Sequence, residues 1–256
     1  MSGRILAIGG GELAGSPLED FLLELAGVSR PRVCFIGTAS PQTPEYLDTF
    51  YDSFRRRTCE PTHLELFGVP EDPAEQIARQ DVIYVGGGNT ANLLVIWRVH
   101  GIDVALREAW ERGAVLAGWS AGANCWFEDS VTDSFGPRLR ALGDGLGFLA
   151  GTFCPHYDGE PKRRPTYTRL VRDGDLAPGF AADDDAAFLF DGAELVEVVS
   201  QRDGARGYRV TPAGEEPLEP RRLEGSDRQL ARERRARQSA SQAAARSPSQ
   251  SGVKRT

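Results

Sequence analysis

Histidine is scarce in this chain: His63, His100 and His156 are the only three among 256 residues. A mechanism that relies on an imidazole base therefore has very few candidates. Cysteine is sparse too, and Cys34, Cys59, Cys125 and Cys154 stand 25, 66 and 29 positions apart. That spacing leaves no Cys-x-x-Cys pair to hold zinc or run dithiol exchange. Long apolar runs are missing: after Met1-Ser-Gly-Arg4, the run at 5–8 is too short for a secretory leader or a membrane span. Together these absences point to a protein of a reducing cytoplasm, with no membrane segment, no metal and no cofactor.

The net charge of −7 hides two regions of opposite sign. Residues 221–256 carry ten Lys and Arg against three acids, net +7, which leaves residues 1–220 with 20 cations against 34 acids, net −14. An acidic body argues against a nucleic-acid-binding core, because phosphate contacts need clustered cations. The basic tail is poor in large apolar residues and reads as a disordered appendage, the one candidate for RNA contact. The expected organisation is a single α/β domain over 1–220 followed by that tail.

Within the body, strand and helix alternate. Apolar runs at 4–8, 32–36, 63–67, 81–85 and 114–119 read as strands, separated by helical patterns at 17–26, 46–56, 90–97 and 102–112. Strands that are apolar throughout belong to a parallel sheet with both faces covered, so the expected architecture is three-layered and flavodoxin-like. Residues 128–153 read as a long loop, and a helix follows at 164–172. Short strands are expected at 180–182, 186–190, 195–200 and 207–210. The Asp191-Gly192 turn predicts a hairpin, so the sheet ends in antiparallel strands.

Gly118-Trp119-Ser120-Ala121-Gly122 fits G-x-S-x-G between an apolar strand and a run suited to a helix start. A tight turn of this kind exposes a serine hydroxyl as nucleophile beside free backbone N–H groups. Serine needs a base. His156, in Cys154-Pro-His-Tyr-Asp158, ends a short strand on the same rim, whereas His63 and His100 read as structural. The carboxylate that orients the imidazole is Asp184, pinned between two apolar runs, or alternatively Asp133 in the loop after the nucleophile. Because no histidine follows position 156, the Ser, acid, His order of α/β-hydrolases does not apply. Gly86-Gly87-Gly88-Asn89-Thr90 fails the phosphate-loop spacings and serves instead to line the pocket, with the N–H groups of Gly88 and Ala121 as oxyanion donors and Asn89 beside the substrate. Cys125 falls on the helix after the turn and reads as packing.

Val85-Gly-Gly-Gly-Asn-Thr90, Gly118-Trp-Ser-Ala-Gly-Ala-Asn124 and Cys154-Pro-His-Tyr-Asp158 together resemble peptidase family S51, the group that contains aspartyl dipeptidase and cyanophycinase, within the class I glutamine-amidotransferase-like fold. The resemblance covers about residues 1–215. It implies a Ser-His-acid peptidase acting on short peptides, with the acid after the histidine, and a homodimer. It also draws attention to Asp133 as an aspartate of the loop after the nucleophile. Preference for an amino-terminal Asp implies a cation near the substrate carboxylate, and Lys162, Arg163 and Arg164 stand just after His156. Of these, Arg163 or Arg164 would grip a carboxylate in bidentate fashion. A cyanophycin-type isopeptidase or amidase, and a non-catalytic binding protein on the same fold, are the rival readings.

Overall fold

The computed structural model describes residues 3–68 and 72–224. In chain order, β1 (Arg4–Ile8), α1 (Pro17–Leu25), β2 (Arg32–Ile36), α2 (Pro44–Phe54), β3 (Glu60–His63), α3 (Pro73–Ala78), β4 (Val82–Val85), α4 (Thr90–His100), α5 (Ile102–Glu111) and β5 (Val115–Trp119) form the first half. Four of these helices begin where side chains satisfy their first amides: Ser16, Thr43, Asp72 and Asn89 accept from Glu19, Tyr46, Glu75 and Asn92 respectively. Pro17 and Pro44 then occupy first-turn positions that need no N–H.

The second half runs α6 (Ala121–Asn124), β6 (Phe127–Thr132), β7 (Arg140–Leu142), β8 (Leu149–Cys154), α7 (Arg163–Arg172), β9 (Gly179–Ala182), β10 (Ala186–Asp191), β11 (Glu194–Ser200), β12 (Gly207–Thr211), β13 (Gly214–Leu218) and β14 (Arg221–Arg222). Eight strands form the main sheet in the order β14-β11-β10-β1-β5-β4-β2-β3. From β1 to β3 all neighbours are parallel, while β10 is antiparallel to both β1 and β11.

Alternate residues of the central strands enter two separate cores, which is why these strands are apolar throughout. Ile5, Ala7, Ile83, Val85 and Leu116 pack against Leu93 and Trp97 of α4 and Ile102 and Leu106 of α5. Leu6, Ile8, Val82, Tyr84, Val115 and Ala117 pack against Leu18 and Leu22 of α1 and Phe50 and Phe54 of α2. Each large side chain so buried contributes roughly 1.5–3 kcal/mol. The three-layer α/β arrangement is therefore present, with the parallel strands all ending at one rim.

The stretch 128–153, expected as loop, instead contributes β6, β7 and most of β8 to a second sheet of six strands, β13-β12-β9-β8-β6-β7. Its strands escape a search for apolar runs because Glu128 and Asp129 sit within β6, and glycines at 143, 145 and 147 crowd the β7–β8 connection. Packing explains what the composition conceals. Phe127 stacks on Phe153 at 4.9 Å and meets Phe190 of the main sheet edge-on at 5.9 Å. On the opposite face, Val131, Cys154, Ala181, Tyr208 and Val210 pack with Tyr167, Leu170 and Val171 of α7.

Two further differences have simple causes. β3 spans Glu60–His63 rather than 63–67, because Leu64 and Leu66 are buried as anchors after the chain has left the sheet. Of the late strands, β10 and β11 form the expected hairpin on the main sheet, whereas β9 and β12 pair with each other in the second one. The compact body runs to Leu223, three residues beyond the expected boundary, since Arg221–Arg222 pair with β11 and Leu223 is buried. Of the basic tail expected over 221–256, residues 225–256 lie outside the described residues.

Candidate active site

Ser120 sits between β5 and α6 with φ 54° and ψ −116°. A non-glycine residue at positive φ is strained, and the surroundings must hold it there. The flanking glycines explain how: a β-carbon at Gly118 would overlap the Gly122 carbonyl, and one at Gly122 would overlap the carbonyl of Val85. Only glycine at both positions allows the turn to close against β4. The Ser120 N–H donates to the Ile8 carbonyl at 3.3 Å, which attaches the turn to the end of β1.

His156 follows β8 after Pro155 and is also at positive φ, 52°. Its N–H donates to Gly9 at 3.2 Å, so Ser120 and His156 are attached to consecutive carbonyls at the end of β1. The imidazole Nδ1 lies 2.7 Å from Asp184 Oδ1, with the two side chains 21% and 27% exposed. Hydrogen bonding to His156 holds the Asp184 carboxyl below the usual carboxylate range, against the opposing effect of partial burial. Gly10 makes room for this pair: a β-carbon there would overlap both the imidazole and Asp184 Oδ1. Gly159 encloses the other carboxylate oxygen in the same way.

The three consecutive acids diverge. Asp183 points inward, 3% exposed, and accepts from the Arg206 N–H at 2.9 Å; burial pushes its carboxyl up to about 6. Asp184 meets His156. Asp185, at φ 67°, takes Arg202 Nε at 3.1 Å and Gln201 Nε2 at 2.7 Å. Arg202 also bonds Asp158 and donates to the Asp184 carbonyl at 2.9 Å, while Asp158 accepts from the Asp184 N–H at 2.8 Å. Sequence reasoning missed Arg202 and Gly10. The arginine lies 46 residues beyond His156 and carries no motif, and the glycines at 9–11 fit no phosphate-loop spacing.

The other expected site residues fall as follows. Gly88, at φ 137°, approaches the Ala39 carbonyl too closely for any side chain. Neither its N–H nor that of Ala121 donates to a protein acceptor among the described residues. Asn89 caps α4 and donates from Nδ2 to the Ser134 carbonyl at 2.9 Å, so its side chain fastens the loop after β6 rather than standing free. Asp133 is exposed and lies 3.8 Å from Arg163, without contact to His156. Arg163 is 3% exposed and held by Glu160 at 2.8 Å and by the Val131 carbonyl at 3.2 Å. Arg164 forms a bidentate pair with Glu215 and lies over the rings of Tyr157 and Tyr208. Both arginines thus have carboxylate partners of their own, and Lys162 is exposed. His63 bonds Tyr51 at 2.8 Å, His100 closes α4, and burial pushes the Cys125 thiol far up, away from nucleophilic chemistry.

Residues 5–198 match the family model of peptidase family S51. A relative named as an uncharacterized peptidase, YgaJ, of Bacillus subtilis is 49% identical over 221 residues, which is 84% of this chain and 95% of that protein. Peptidase E of Salmonella arizonae is 33% identical over 113 residues, covering 42% of this chain and 49% of the relative. Among solved structures, a peptidase from an acI-B1 Actinobacterium superposes with TM-score 0.65 at 20% identity, over 86% of this chain and 95% of that one. A putative peptidase E of Listeria monocytogenes gives 0.59 at 19% identity, over 79% and 100%. At such identities the structures establish the shared fold. The extent of the family match and the identity to the Bacillus relative place this chain in peptidase family S51.

Proposed function

We propose that this peptidase hydrolyses short peptides after the amino-terminal residue, with Ser120 as nucleophile. The observation that carries the reading is the His156–Asp184 contact at 2.7 Å, fastened beside the strained Ser120 by adjacent carbonyls at the end of β1. In the reaction, Ser120 attacks the carbonyl carbon of the scissile bond while His156 Nε2 takes the hydroxyl proton. Asp184 holds the other ring nitrogen protonated and stabilises the imidazolium. The N–H groups of Gly88 and Ala121 meet the developing oxyanion, then His156 protonates the leaving amine and activates the water that clears the acyl-enzyme.

Selectivity for an amino-terminal Asp is the finer reading, supported by the relatives named peptidase E and by the cationic run 162–164. The prior engagement of Arg163 and Arg164 with Glu160 and Glu215 weighs against it, leaving Lys162 as the cation of the run with no ion pair among the described residues. No helix among the described residues is long and apolar enough to cross a membrane. The four buried free thiols suit a reducing compartment.

Ser120→Ala and His156→Ala tested on a dipeptide panel should each lower turnover by roughly three orders of magnitude or more, with unchanged circular dichroism. A fluorophosphonate adduct on Ser120, seen by mass spectrometry in the unaltered protein, should accompany this result. Undiminished turnover by pure Ser120→Ala protein would remove Ser120 from the mechanism.

A further inference from the structure

Beside the nucleophile, on the α1–α2 face of the sheet, lies a cavity of about 340 Å³ that the mechanism does not use. Gly11, Glu12, Ala14 and Thr49 are exposed at its mouth, and Leu13, Phe35, Phe50 and Tyr84 are buried deeper. Trp119, the residue preceding Ser120, forms one wall, while Gly11 belongs to the same segment that makes room for the His156–Asp184 pair. The cavity thus adjoins the reaction centre through the chain neighbours of Ser120 and Gly10, while Ser120, His156 and Asp184 themselves are outside its lining.

Its lining is a connected aromatic set. Phe35 stacks on Trp119 at 5.9 Å and on Phe50 at 4.8 Å, Tyr46 meets Phe35 edge-on at 5.5 Å, and Tyr84 lies 4.9 Å from Trp119. Among the described residues no cation lines it; the charged groups present are Glu12 at the mouth and Glu19 below. Glu19 directs one oxygen, Oε2, to the Gly15 N–H at 2.8 Å, to the Ser53 hydroxyl and to Arg57, with which it forms an ion pair at 3.2 Å. The Tyr84 hydroxyl is buried with no hydrogen-bond partner among the described residues. An orphaned buried donor of this kind is a position where a bound molecule or water completes the bonding.

We propose that this cavity receives a large apolar side chain of the peptide substrate, aromatic in preference, at one of the two positions flanking the scissile bond. The inference rests on the peptidase reading and specifies its substrate class. Aromatic walls favour stacked or edge-on rings, and a site without a cation but with two carboxylates nearby disfavours an aspartate side chain. An arginine or lysine would need an unpaired carboxylate at the floor, and the charge of Glu19 is already met by Arg57.

The test separates binding from chemistry. In the Ser120→Ala protein, which cannot turn over, calorimetric titration compares Phe-Ala and Ala-Phe with Ala-Ala, Asp-Ala and Arg-Ala. One of the phenylalanyl dipeptides should bind roughly ten- to a hundredfold more tightly than Ala-Ala, the range for burying one such side chain. Thr49→Trp, and independently Ala14→Trp on the other lip, should narrow the mouth and collapse that ratio to within about threefold. Equal binding of Phe and Ala dipeptides, tighter binding of Asp-Ala or Arg-Ala, or a ratio untouched by both substitutions would overturn the assignment. Failure of the peptidase reading gives a different signature: the binding preference persists while the unaltered protein cleaves none of the panel.

Discussion

At the scale of single residues, the site depends on side chains held in conformations that cost free energy locally. Ser120, His156 and Asp185 are all non-glycine residues at positive φ, each worth about 1–3 kcal/mol of strain. Backbone bonds to Ile8, Gly9 and Gly10 offset that cost and place all three residues along one short segment. Between the two acids that suited the histidine by sequence, contact selects Asp184. Asp184→Asn should therefore reduce kcat by roughly three to four orders of magnitude, since an amide favours the wrong imidazole tautomer. Asp133→Asn, altering an exposed group paired with Arg163, should stay within about tenfold. Steady-state kinetics of both variants decide the matter, and a greater loss for Asp133→Asn would exchange their roles.

At the scale of elements, the β9–β10 turn carries Asp184 and is braced by an arginine from the segment after β11. Arg202 links Asp158, Asp185 and the Asp184 carbonyl, so the loop bearing His156 and the turn bearing its partner move as one. Arg202→Met should lower kcat by roughly ten- to a hundredfold through misplacement of the carboxylate. Arg202→Lys should recover part of the loss, and the melting temperature should change only slightly because the Arg202 side chain is 42% exposed. A kcat close to the unaltered value, with only stability affected, would reduce Arg202 to a surface brace. The elbow operates at the same scale: Gly118 and Gly122 are required by main-chain approach to α6 and β4, a demand legible in five consecutive residues.

At the scale of the whole molecule, the buried Asp183 ties stability to pH. Its carboxyl ionises at about 6 in the folded protein, against roughly 4 in an unfolded chain. The folded state therefore holds the proton more tightly. The contribution of this group is fully present below about pH 4, declines as pH rises towards 6, and stays lost above it, by up to about 3 kcal/mol. Asp184 acts in the opposite direction, contributing above its unfolded value and losing that contribution as pH falls through its depressed folded value. Relative to the unaltered protein, Asp183→Asn should thus gain stability between pH 4.5 and 7.5 in urea titrations. A difference independent of pH would show that Asp183 does not ionise in this interval.

How much of this was readable beforehand follows from the range of each interaction. The alternating strands and helices, the Ser120 turn and the triple glycine beside it are encoded over five to ten neighbouring residues, where steric demand and apolar periodicity act directly. In the second sheet β9 and β12 were legible as short apolar runs, whereas β6, β7 and most of β8 were not, because those strands are polar or glycine-flanked and aromatic contacts between Phe127, Phe153 and Phe190 stabilise them rather than local pattern. Likewise, the pairing of His156 with Asp184 spans 28 positions, that of Arg164 with Glu215 spans 51, and that of Arg202 with Asp158 spans 44. Sequence alone determined which chemical groups the chain carries and where its backbone must turn sharply. Tertiary structure decided which charge meets which, because strand order brings distant segments to one rim and there neutralises some ionic groups while leaving others beside Ser120.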